Sequence, residues 1–128
     1  MHHVEALHTD GAPAAIGPYS QACVAGGFLY SAGQIGLDPS TGELVGPGLR
    51  EQAYRVFENL AAVLSEAGAD FGDVVKTTVF VADMADFAEL NGIYAEHFTE
   101  PYPARSTIEV GALPAGARVE IDVVARLP

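Results

Sequence analysis

Between Pro103 and Val124 the chain alternates, breaks and alternates again, and this pattern constrains the fold more than any other stretch. Successive side chains of an extended strand point to opposite faces. Arg105, Thr107 and Glu109 therefore share one face, with Ser106, Ile108 and Val110 on the other. Gly111 to Ala117 interrupts with two glycines and Pro114, which is loop chemistry. Alternation then resumes, with Val119, Ile121 and Val123 apolar and Arg118, Glu120 and Asp122 opposite them. Glu120 thus points away from the core that its neighbours fill. A guanidinium offers a planar fork suited to a carboxylate, so Arg105 could hold a small organic acid while Glu120 handles a proton. On period and spacing alone, a surface ion pair worth about 0–1 kcal/mol is the favoured reading of the same two residues.

The rest of the chain supplies the elements around these strands. Ser20 to Ala25 and Phe28 to Ala32 read as a hairpin turned by Gly26 and Gly27. Leu49 to Ala67 is helical, because Ala53, Val56, Phe57, Leu60, Val63, Leu64 and Ala67 recur at spacings of three and four before Gly68. Its Arg50, Glu51, Arg55, Glu58 and Glu66 read as solvated. Val74 to Val81 is a β-branched strand. A second helix follows, capped by Asp83 and buried along Phe87, Leu90, Tyr94 and Phe98, with His97 at its end. Met1 to Asp10 reads as a flexible arm in which Val4 to Leu7 could add an edge strand. His2, His3 and His8 lack a Cys or carboxylate set at ligand spacing, so no metal is expected, and His2 and His3 could be an appended remnant. The order predicts an α+β domain over 1–128, with two helices on one face of a mixed sheet.

Charge narrows the partners. The chain has 128 residues and a net charge of -11 with only six Lys and Arg, which argues against binding a nucleic-acid backbone. No apolar run approaches the roughly 18 residues of a membrane span, and the N-terminal residues carry no secretory pattern. The lone Cys23 reads as a small buried strand residue and fits a reducing cytoplasm.

Four segments go further: GAPAAIGPYSQA from Gly11, SAGQIGLDPSTGE from Ser31, DVVKTTVFVADMADFAELN from Asp73, and PARSTIEV with LPAGARVEID from Pro103. In this order they resemble the RidA (YjgF/YER057c/UK114) family across Gly11 to Ala125. The resemblance implies a chorismate-mutase-like fold, a homotrimer whose sheets pack into a central barrel, and pockets between subunits. It also implies hydrolysis of reactive 2-imino acids to 2-keto acids and ammonia, with no metal, nucleotide or other cofactor. Carried over residue by residue, Arg105 grips the substrate carboxylate and Glu120 holds and activates a water. Tyr19, Gly33, Asn91 and Thr107 line the pocket.

Two positions depart from the family pattern. Thr107 stands where many relatives have Cys, so no thiol is required, and Ala32 stands where many have Ser, with Ser31 facing the other side of the strand. Two other readings stay open: a non-catalytic module that senses small carboxylates, and a ribonuclease or translation inhibitor, which the charge disfavours.

Overall fold

The computed structural model describes residues 3–128, and the reading of His2 as part of an appended remnant falls outside those residues. Six strands form one sheet: β1 (Glu5–Leu7), β2 (Ala22–Ala25), β3 (Phe28–Ser31), β4 (Val74–Val81), β5 (Ala104–Glu109) and β6 (Val119–Arg126). Their order across the sheet is β1-β2-β3-β6-β4-β5. The β4–β5 pair is parallel and every other neighbouring pair is antiparallel, so the sheet is mixed, as expected. The arm contributes its edge strand, and the hairpin turns on Gly26 (φ 60°) and Gly27 (φ 83°), both positive as a two-residue turn of this twist requires.

Two helices cover one face, α1 (Leu49–Glu66) and α2 (Phe87–Ala95). The α1 stripe Ala53, Val56, Phe57, Leu60, Val63 and Leu64 is buried, and Gly68 at φ 74° releases the chain after the last turn. From α2 come Leu90, Ile93 and Tyr94, joined by Phe98 just beyond it. The sheet answers with Val79 and Val81 of β4 and with Val119, Ile121, Val123 and Ala125 of β6. Each fully buried Leu, Val or Phe in such a layer contributes about 1.5–3 kcal/mol. Asp83 accepts from Ala85 N at 2.9 Å, capping the short 3-10 turn Met84–Asp86 that leads into α2.

Register shows which side chains share a face, since residues directly opposite one another do. Thr77 of β4, fully buried, lies opposite both Val123 of β6 and Arg105 of β5, which places Arg105 on the helix-covered face. Phe80 lies opposite both Glu120 and Ile108, which places Glu120 on the uncovered face. That second face carries no helix, and Tyr30 and Ile108 on it are 48% and 45% exposed. Cys23, opposite Tyr30, is also there and only half-buried, not enclosed as the sequence led us to expect, because no layer covers this side of β2.

Candidate active site

Arg105 stands on the outermost strand, and α2 holds its head. Phe87, Asn91 and Tyr94 fall four and three residues apart, so they form one stripe of the helix facing β5. Asn91 Oδ1 accepts from Arg105 Nη1 at 2.7 Å. The guanidinium carbon lies 4.7 Å from the Tyr94 ring centre and 5.5 Å from that of Phe87, within cation–π reach. The other N–H groups of the fork have no acceptor among the described residues, so a bidentate edge is open to a ligand. Asn91, Tyr94, Ala95, Tyr102, Pro103 and Arg105 line an open cleft of about 510 Å³. Thr107, half-buried, is two residues along the same face but lines neither this cleft nor the next.

Glu120 sits in a different cleft, of about 250 Å³, between the Pro13–Tyr19 segment and the loop that follows β3. Tyr19, Gly33 and Glu120 meet there, with Ile35, Leu37 and Pro114 making an apolar wall. Gly33 is needed for a reason beyond ligand access: a Cβ on it would lie 2.7 Å from Glu120 Cδ. The Ala32 and Gln34 amides donate to Gln21 O and Ile121 O, both at 2.9 Å, and the Gly33 N–H between them takes part in neither bond. Ser31 Oγ accepts from Val123 N at 2.9 Å, so that hydroxyl is committed to the sheet and does not replace one at Ala32.

Burial raises the Glu120 carboxyl above its usual range, and the charge of Asp122 on the same face raises it further. No arginine counters this among the described residues. Arg118, expected beside Glu120, instead places its fork on Asp86, with Nη2 to Oδ2 at 2.9 Å and Nε to Oδ2 at 3.1 Å. Asp122 is itself raised by burial, which outweighs the opposing effects of Thr78 and Lys76.

One chain therefore brings the named residues together as two groups. Arg105 and Asn91 form one, and Glu120, Gly33 and Tyr19 form the other. They lie on opposite faces of the sheet, with β4 between their strands, a lateral separation of about 10 Å before the side chains diverge. Sequence reasoning missed Gln21, which is 3% exposed. Its carboxamide accepts from Thr9 N at 2.7 Å and donates to Thr9 O at 3.0 Å and Pro13 O at 2.8 Å, which holds the outer wall of the Glu120 cleft. It also read Phe87 and Tyr94 only as core, although their spacing from Asn91 put them on the same stripe.

A six-stranded mixed sheet with two helices on one face, an arginine cleft on one side and a half-buried carboxylate on the other, defines a class of small α+β proteins with known members. The family described as Endoribonuclease L-PSP matches residues 9–127, and the chain belongs to it, the RidA family. It is 51% identical over 119 residues to the 2-iminobutanoate/2-iminopropanoate deaminase of Mus musculus, covering 93% of this chain and 88% of that one. Among solved structures, RidA from an Antarctic Psychrobacter species matches with a TM-score of 0.92 at 46% identity, covering 96% and 99% of the two chains. E. coli TdcF with bound serine matches at a TM-score of 0.90 and 38% identity, covering 97% and 99%.

Proposed function

We propose that this protein is a cofactor-independent imine deaminase that hydrolyses 2-imino acids to 2-keto acids and ammonia, and that it works as a homotrimer with sites between subunits. The observation that carries the reading is the division of the site: an open arginine fork and a carboxylate of raised pKa lie on opposite faces of one sheet, so neither cleft holds both. A second copy solves this, because its Glu120 cleft can be brought against the Arg105 cleft of the first. The uncovered sheet face, with Tyr30 and Ile108 exposed, supports such packing in the chorismate-mutase-like manner. The name of the mouse relative supports the reaction. The bound serine in TdcF's name fits a pocket for a small amino-acid-like carboxylate.

In this reading the free edge of Arg105 takes both oxygens of the substrate carboxylate, Asn91 fixes the plane of the fork, and Thr107 borders the ligand. The imine carbon then lies beside a water held by the neighbouring copy's Glu120, with Tyr19 and the Gly33 backbone around it. Glu120 takes a proton from the water as its oxygen bonds to the imine carbon, and the C=N π pair moves to nitrogen, to which Glu120 hands on that proton. From the tetrahedral carbon the hydroxyl proton passes by way of Glu120 to the amine nitrogen, the C–N bond breaks with its pair leaving on nitrogen as neutral ammonia, and C=O forms from the O–H pair, which leaves Glu120 ionised again. No side-chain nucleophile is used, so Thr107 in place of a thiol is compatible.

The nuclease named in the family's description gains little support here, since six cations on a chain of net charge -11 offer no phosphate track. No helix among the described residues is long and apolar enough to cross a membrane. A cytoplasmic site of action would suit the lone Cys23 thiol.

The test is subunit complementation. Arg105→Ala and Glu120→Gln should each lower turnover of freshly generated 2-iminobutanoate, the latter by about 10²- to 10⁴-fold. Refolding the two variants together should restore activity, because mixed assemblies contain interfaces with both native residues. If the mixture stays as inactive as its parts, the shared site is wrong, and if the native protein binds 2-ketobutyrate without turning over imines, it is a carboxylate-binding module.

A further inference from the structure

Resting on the deaminase reading, we propose that Tyr94 is a positioning residue for Arg105, its ring forming the platform for the guanidinium while Thr77 fixes the ring. Thr77 is the β4 residue directly opposite Arg105 in the parallel pair, and it is fully buried. Its hydroxyl lies 2.9 Å from the Tyr94 hydroxyl, in a setting where neither group has water to fall back on. The Tyr94 ring, 6% exposed, is boxed by Phe57 at 6.0 Å and Phe98 at 4.5 Å between centroids. Arg105 leaves the strand, folds over this ring at 4.7 Å, and is held in the plane by Asn91. A closed circuit results: the strand neighbour of Arg105 clamps the ring on which the head of Arg105 rests.

The arrangement has a specific consequence for binding. An arginine on an edge strand would otherwise sample many rotamers, and each one off-plane loses half of a bidentate contact. Resting one face of the guanidinium on the ring leaves its N–H edge for the ligand. The ring touches no reacting atom, so its effect should fall on affinity for the carboxylate and not on the chemical step.

Calorimetry with 2-ketobutyrate, and with its neutral amide as control, tests this on the assembled protein. Tyr94→Leu keeps an apolar side chain but removes the ring face, and should weaken 2-ketobutyrate binding about fivefold or more while amide binding is unchanged. In turnover the loss should appear in KM, with kcat within about twofold. Tyr94→Phe and Thr77→Val each remove the hydroxyl pair from one side. Each should give a smaller loss, and the double variant should be no worse than either single one, since both act through one bond. A Tyr94→Leu protein with a lowered Tm but native affinity and native acid-to-amide preference would reduce Tyr94 to a core residue and overturn the proposal. Should Tyr94→Leu fail to fold, the two hydroxyl variants decide: native affinity in both, or losses that add, would also overturn it. Failure of the deaminase reading looks different, since wild-type protein would then bind 2-ketobutyrate through Arg105 without hydrolysing imines.

Discussion

Glu120 and Gly33 are fitted to each other, so a change at either should tell on turnover. A methyl at residue 33 would sit 2.7 Å from Glu120 Cδ and 2.9 Å from its Cγ, and the flexible carboxylate, not the backbone, would yield. Gly33→Ala should therefore keep the native melting temperature yet lower imine turnover about 100-fold, the cost of misplacing a catalytic group by an ångström. The pH profile follows from burial. The base works only when ionised, and burial with the Asp122 charge raises its pKa, so more of it is protonated at a given acidic pH. Both causes accordingly push the acid limb of kcat/KM toward higher pH. Asp122→Asn removes the lesser cause and should move that limb to lower pH, and a limb that stays in place would assign it to another group.

At the scale of elements, α1 does more than cover the sheet. Gln52, 1% exposed, donates to Gly46 O at 2.9 Å and accepts from Arg118 N at 2.8 Å, tying the loop after β3 to the start of the strand that carries Glu120. Asn59, fully buried, donates to Leu37 O at 3.0 Å. Gln52→Met keeps the volume but leaves those backbone groups without partners, and should cost about 1–3 kcal/mol in urea unfolding. None of this was legible in the sequence. The apolar stripe of α1 follows from spacings of three and four, but nothing in those spacings marks the Gln and the Asn beside it as buried before the loop they hold is in place. Arg55, expected in water, instead donates to Asn59 Oδ1 at 2.9 Å and Glu58 Oε2 at 2.7 Å. For β5 and β6, alternation showed which residues share a face but not which face meets the helices. That depends on β5 joining the edge parallel to β4, a long-range choice that sets Thr77 against Arg105. Arg105 and Asn91 were therefore readable as a pair only through family likeness, and the separation of Arg105 from Glu120 only through register.

At the scale of the whole molecule, the uncovered face and the charge pull in opposite directions. Tyr30 and Ile108 favour association, whereas copies carrying -11 each repel one another. Light scattering should give three times the monomer mass at moderate ionic strength, with dissociation promoted by dilution into very low salt, where screening is weakest. Ile108→Asp adds a charge to the uncovered face and should release monomers and abolish turnover together. Monomers that still hydrolyse imines would mean that one chain suffices.

The placement of Arg105 and Glu120 on opposite faces also has a genetic reading. In the proposed trimer each chain lends its arginine to one site and its carboxylate to another, so a chain damaged at one residue spoils one site and a chain damaged at both spoils two. A doubly altered allele expressed beside a native one would then poison sites built partly from healthy chains. Inheritance of the defect would be partly dominant even where every variant chain folds and assembles.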